Sequence, residues 1–194
     1  VASTPSVIYA LASSPMLIFA LFALELGMVI WMSARIHKMA ATTAGILFAL
    51  YAVLNGVTMS FIFLAYAMES IATTFLITAG TFGAMTLVGY TTKKDLSALG
   101  RTLMMLLIGL IIATLVNLFV ASSGLAVILN YAGVLIFVGL TAYDTQKIKQ
   151  LVEYASATGD EEQTTKLALM GSLTLYLDFI NLFLYLLRIF GRRR

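Results

Sequence analysis

The sequence predicts an all-α fold, a polytopic bundle of transmembrane helices, and three observations carry that prediction. Of 194 residues, 61% are hydrophobic and only 11% charged, and the mean hydropathy of +0.99 is far above that of a water-soluble domain. Six stretches are long and apolar enough to cross a bilayer, which takes about 20 residues in a helix. The apolar runs are continuous, without the period-two alternation over about ten residues that marks a membrane β-strand.

The first stretch, A, runs from Met16 to Ala34. Before it, "VASTPSVIYALASSP" reads as the end of one helix and a loop. No basic region opens it, so it is not a signal peptide, and a helix upstream is expected to be missing. B is Thr43 to Ala67, C is Ile71 to Tyr90, D is Thr102 to Ala121, E is Leu125 to Thr145 and F is Leu167 to Gly191. The separators "RIHK", "MES", "TTKKDLSALGR" and "SSG" are short, and the longest linker is "QKIKQLVEYASATGDEEQTTK". None leaves room for a soluble domain, so residues 1–194 form a single transmembrane domain. The small-residue pairs Gly56 with Ser60 and Ala79 with Gly83 read as helix-packing positions. Trp31, Tyr66, Tyr90 and Tyr154 fall near helix ends, where an aromatic belt is expected.

Orientation follows from Lys and Arg. Arg35 and Lys38 lie between A and B, Lys93, Lys94 and Arg101 between C and D, and Lys147, Lys149 and Lys166 between E and F. The B–C and D–E loops carry none, so the three basic loops face the cytoplasm. The tail "GRRR" conflicts with this count: either F crosses incompletely or the tail is an exception.

Several function classes drop out. There is no cysteine, hence no disulfide framework and no thiolate site. The net charge of +3 is accounted for by helix flanks and needs no nucleic acid. With no GxGxxG, P-loop, HExxH or zinc-spaced ligand cluster, an enzyme, a cofactor or a tightly bound metal is not expected. His37, the single histidine, sits in "RIHK" and reads as a solvated loop residue.

Ionisable residues at membrane depth are few and therefore informative. Glu25 is central in A, Asp178 is central in F, and Asp144 lies in the last turn of E. Gly171, Thr174, Asp178, Asn181 and Tyr185 share one face of F by helical spacing. Asn130, Gly133, Thr141 and Asp144 do so on E, and Gly109, Ala113 and Asn117 on D. Three helices thus present a polar or small stripe that should turn inward, and Asn and Thr on such stripes commonly serve as interhelical glue.

The segments "GYTTKKDLSALG", "VGLTAYDTQKIK" and "LTLYLDFINLFLYLLRIFG" resemble the bacterial inner-membrane branch of the Bax inhibitor-1 family, also called the transmembrane BAX inhibitor motif family. The resemblance covers essentially the whole chain and is most specific from Thr78 onward. It implies seven helices with the last one central, of which about six and the end of the first are present here. It also implies a multi-pass protein of the bacterial inner membrane and a pH-sensitive calcium leak. In the family an aspartate in the "YD" of the penultimate helix pairs with one in "LYLDFINLF"; these match Asp144 and Asp178, the expected pH-sensing dyad.

The physics of such a pair stands by itself. Two carboxyl groups in hydrogen-bond range within a low-dielectric site cannot both ionise cheaply, so they share a proton. Losing that proton introduces repulsion between E and F, and gaining a second removes the negative charge a cation would use. Calcium prefers six to eight oxygen ligands. Asp144 and Asp178, with Glu25, Thr174 and Asn181 as candidates along the pathway, supply too few for a cage but enough for passage. The resemblance also implies an acidic residue and an arginine that latch the dyad. Glu25 and Arg35 are the candidates, but their ten-residue separation puts them about 80° apart on a helix, and Arg35 reads better as a positive-inside anchor.

The expected partners are therefore calcium ions, protons and the lipid bilayer. A second reading stays open: an interaction protein that modulates a membrane protease or a stress response without transport, binding through the E–F linker or the termini. An intramembrane aspartyl protease also uses two aspartates, but its "GxGD" and "PAL" motifs are absent, the prolines being only at 5 and 15.

Overall fold

A computed structural model describes residues 15–193. The chain forms α1 (Pro15–Arg35), a 3-10 turn (Ile36–Lys38), α2 (Ala41–Met59), the single-turn α3 (Ile62–Ala65), α4 (Met68–Thr91), α5 (Ser97–Val120), α6 (Ser123–Ala157) and α7 (Glu161–Phe190). Among the described residues five helices are long and apolar enough to cross a membrane: α2 continued through α3, α4, α5, α6 and α7. The remaining expected stretch, A, is α1, a helix of 21 residues. The expectation of an upstream helix concerns residues outside those described.

Two boundaries differ from the sequence reading, for one reason. The E–F linker is not a loop: α6 runs 35 residues to Ala157, and α7 begins at Glu161. At 1.5 Å per residue α6 is about 52 Å long, against a hydrocarbon core of about 30 Å, so its last turns project beyond the membrane. Polar sequence there is helical because same-face charges pair, Lys149 with Glu153 at 3.9 Å and Glu162 with Lys166 at 2.8 Å. The reversal is confined to residues 158–160. Gly159 takes a left-handed φ of 75°, and the Asp160 carboxylate accepts from the Gln163 N–H at 2.9 Å, capping α7. Asp144 is consequently well inside a continuous helix and not in its last turn.

The centre of the bundle is the antiparallel pair α6 and α7. α7 touches α2, α4 and α6, α5 packs chiefly on α6, and α1 chiefly on α2. Glycines set the closest approaches. A Cβ on Gly89 would lie 2.2 Å from the Ala142 carbonyl oxygen, so α4 and α6 meet backbone to backbone; Gly133 receives the Tyr185 ring and Gly171 the Ile148 side chain. The small-residue pairs named from sequence do not do this: Gly56 and Ala79 are exposed, and a Cβ on Gly56 or Gly83 would meet nothing within 4 Å. The D stripe is kept in part. Gly109 is exposed, whereas Ala113 packs on the main apolar cluster and Asn117 lines a cavity with Asn130 of α6, and Gly100, Leu103 and Leu110 are the buried positions of α5. The faces predicted on E and F do meet each other, as the Gly133–Tyr185 and Gly171–Ile148 contacts show.

The two ends of the bundle are distinct. At one end the three basic loops converge: the Gln146 amide donates to the Lys94 carbonyl and accepts from the Leu96 N–H, both at 2.9 Å, and Lys149 donates to the Tyr90 carbonyl at 3.0 Å. Asp95 in this region is held below the ordinary aspartate range by its hydrogen bonds from Ser97. At the other end the residues after α7 pair with the α3–α4 connection. The Ala67 N–H donates to the Arg192 carbonyl at 3.0 Å, the Arg192 N–H donates to the Ser70 hydroxyl at 3.1 Å, and Tyr66 bridges Arg193. F therefore runs the full height of the bundle, and Arg192 and Arg193 lie with the loops that carry no other Lys or Arg. Tyr66, expected in an aromatic belt, is buried under Gly191 instead; Trp31, Tyr90 and Tyr154 are exposed.

Candidate functional site

Asp178 projects from α7 about 18 Å before its end at Phe190 and is only 5% exposed. Its Oδ2 has no hydrogen-bond partner among the described residues. The group it meets is Asp144 of α6, whose carboxyl lies within hydrogen-bonding reach. Two ionised carboxylates have no donor between them, so this arrangement holds together when one carries a proton and donates it to the other. Asp144 and Asp178 are neighbours because both sit on the faces through which α6 and α7 pack.

The environment of the pair is asymmetric. Toward the basic end, a cavity of about 80 Å³ is lined by Asp144, Lys147, Gly171 and Thr174 among others, large enough for a few waters. Toward the other end the way is closed by Phe137, Leu140, Leu182 and Leu186, members of the main apolar cluster, with Leu182 fully buried and Phe137 stacked on Tyr185 at 5.8 Å. Asp144 therefore faces a small vestibule of mixed lining, in which Lys147 and Thr174 lie beside Ile148, Leu151, Leu167 and Met170, and Asp178 is buried behind it next to the apolar cluster.

The other candidates fall out differently. Thr174 lines the vestibule, although its hydroxyl donates to the Met170 carbonyl at 3.0 Å. Asn181 spends an N–H on the Leu177 carbonyl at 2.8 Å. Glu25 is 6% exposed but belongs to a separate cluster: Asn55 donates to its carboxylate at 3.1 Å, Thr58 donates to its other oxygen, and the Tyr176 hydroxyl donates to the Asn55 oxygen at 2.8 Å. Arg35 is exposed at the end of α1 and forms no ion pair among the described residues. The cation whose charge acts on Asp144 is Lys147, one turn along the same helix.

Sequence reasoning passed over Lys147 and the Asn55, Thr58 and Tyr176 set. Both had a signal. Lys147 is at i+3 from Asp144, and Tyr51, Asn55 and Thr58 follow the 4-3 rhythm of one face of α2. Among the described residues no group of three or more His, Cys, Asp or Glu side chains is arranged to hold a metal ion. Two carboxylates are the most the dyad offers a cation.

Comparison with known proteins agrees with this architecture. A family model described as inhibitor of apoptosis-promoting Bax1 matches residues 1–194. The inner membrane protein YbhL of Escherichia coli strain K12 is 50% identical over 193 residues, covering 100% of this chain and 82% of that protein. An uncharacterized protein of Borreliella burgdorferi is 48% identical over 182 residues, covering 94% of this chain and 78% of its own length. An uncharacterized membrane protein of Streptococcus pyogenes serotype M3 is 41% identical over 182 residues, covering 94% of this chain and 77% of its own.

Proposed function

For this chain, which belongs to the Bax inhibitor-1 family, we propose a pH-sensitive calcium leak in the bacterial inner membrane, gated by Asp144 and Asp178. The observation that supports it best is a buried aspartate, Asp178, with an oxygen that has no partner among the described residues and with the acid Asp144 as its neighbour, an arrangement that calls for a shared proton. An inner-membrane setting follows from the name of the Escherichia coli relative and from the five spanning helices.

In the mechanism, the vestibule beside Asp144 admits hydrated calcium from the cytoplasmic end. The singly protonated pair latches α6 to α7 and keeps the plug of Phe137, Leu140, Leu182 and Leu186 closed. When the shared proton leaves, two negative charges at hydrogen-bond distance repel, α6 and α7 separate at this level, and the oxygens become available to a cation. A second proton removes the charge that attracts it. Lys147, at the vestibule, opposes cation entry until Asp144 engages it. Two carboxylates are too few for tight binding, which suits passage over storage.

The test is calcium flux into liposomes that contain the complete protein and an internal indicator, measured from about pH 5 to pH 8, a range around the histidine and shared-carboxyl region. Wild type should leak with a pH dependence that both Asp144→Asn and Asp178→Asn abolish. Folded protein that gives no flux above empty liposomes removes the leak and leaves a membrane interaction protein.

A further inference from the structure

Beyond the gate, the opposite end of the bundle holds a cationic cavity that the leak does not use. Arg188 near the end of α7 and Arg193 after it line one cavity of about 190 Å³, together with Thr114 and Asn117 of α5, Asn130 of α6 and Tyr185 of α7. A second cavity of about 130 Å³ adjoins it and shares Arg188 and Asn130. Among the described residues no carboxylate lines either one. Neither arginine forms an ion pair among the described residues, and the acidic side chain at this end, Glu69 in the first turn of α4, pairs with neither.

The site is preorganised as well as charged. Arg188 lies over the Tyr185 ring at 5.3 Å, a cation–π contact that fixes the plane of its guanidinium. The Asn117 side-chain oxygen accepts the Ser122 N–H at 3.1 Å, which orients its amide N–H groups away from that bond as donors. The backbone of Arg192 and Arg193 is pinned by its pairing with residues 66 and 67, so the Arg193 side chain starts from a fixed point beside the cavity it lines. Among the described residues the polar lining is thus two guanidinium groups, two neutral amides and the Tyr185 and Thr114 hydroxyls, the latter donating to the Leu110 carbonyl, and the guanidinium donors suit an oxyanion with several acceptor oxygens.

What surrounds the site says which oxyanion. Next to it α5 and α6 expose Leu118, Val127, Ile128 and Tyr131, an apolar wall that is lipid-facing in a membrane helix. A ligand seated here meets charge at its head and hydrocarbon along its body. We propose that Arg188 and Arg193 form a binding site for the phosphate group of an anionic phospholipid, in the leaflet opposite the three basic loops. A free phosphate offers the same oxygen chemistry but would leave the apolar wall unused. The site also accounts for the arginine tail on the side where the positive-inside pattern places few cations.

The experiment is native mass spectrometry of the complete protein in detergent micelles, titrated with phosphatidylglycerol or with phosphatidylcholine of the same chains. Wild type is expected to retain one phosphatidylglycerol with a preference of about tenfold or more, and Arg188→Gln and Arg193→Gln each to reduce that preference about fivefold. Both side chains are exposed, so these variants keep the fold, which an unchanged elution profile confirms. Arg188→Lys, which keeps the charge but loses the planar fork, is expected to fall between. Equal retention of the two lipids overturns the proposal. So does displacement of the lipid by excess inorganic phosphate, which would make this a free-anion site. An equal loss on Arg101→Gln, at the other end, would reduce the effect to general charge and overturn it as well.

Discussion

Two buried carboxylates, Asp178 of α7 and Glu25 of α1, sit in opposite circumstances. Tyr176 and Asp178 are two residues apart, about 3 Å along the axis and on opposite faces. On the α2 side Tyr176 anchors the Glu25 cluster, in which Asn55 and Thr58 give the carboxylate its donors. On the α6 side Asp178 has another acid for a neighbour and one oxygen with no partner. A carboxylate supplied with neutral donors is a structural element whose state does not depend on a second titratable group. A carboxylate supplied only with another carboxylate depends on a proton from solution, and that dependence is what a pH-responsive gate needs.

The sharpest way to break this contrast is on the satisfied side. Asn55→Leu removes a donor to Glu25 and the acceptor of Tyr176 inside the bundle, and should cost about 3 kcal/mol, seen as a clear fall in the thermal unfolding midpoint in micelles. An unchanged midpoint would mean that Glu25 is not held by this cluster. Next in size is a pair of glycine substitutions, one on each side of α7. Gly171→Ala brings a Cβ to 2.5 Å from Ile148 on the α6 side and should cost about 2 kcal/mol while raising the basal leak by prying α6 from α7. Gly45→Ala on the α2 side finds its nearest atom, in Leu169, at 3.9 Å, and should be close to neutral in both assays.

Smaller still is the stability change in Asp178→Asn. The amide donates to Asp144 without needing a proton, so stability should stay within about 1 kcal/mol of wild type or rise, even as the pH response of the leak disappears. A large loss of stability would place Asp178 in the same structural class as Glu25. The smallest effect is expected for Arg35→Gln, within about 0.5 kcal/mol as for other exposed substitutions and with an unaltered pH response of calcium flux. A lost response there would restore the latch that the spacing of Glu25 and Arg35 left open.

The sequence made legible what depends on local chemistry. Uninterrupted apolar runs located every long described helix, and the spacing of Gly171, Thr174, Asp178, Asn181 and Tyr185 picked out the face of α7 that meets α6, because side-chain periodicity is a property of the helix alone. It brought Asp144 and Asp178 to the same interface. What it could not give were quantities set by tertiary fit. Gly56 and Gly89 look alike in sequence, yet only Gly89 meets another backbone, because α4 crosses α6 at that point. The polar run after Asp144 read as a linker because its composition is that of a loop, and only the pairing of Lys149 with Glu153 and the docking of Gln146 on residues 94 and 96 show it as helix. For Glu25 depth and charge were visible in the sequence, whereas its two donors on α2, Asn55 and Thr58, were not.

The central claim, that Asp144 and Asp178 hold one proton between them, is tested most directly by infrared difference spectroscopy of the reconstituted protein across pH, following the carbonyl stretch of a protonated carboxyl group. The account predicts one such band that titrates together with the calcium leak, is lost in Asp144→Asn and equally in Asp178→Asn, and persists in Glu25→Gln. A band that survives both aspartate substitutions, or one that vanishes with Glu25→Gln, would contradict it.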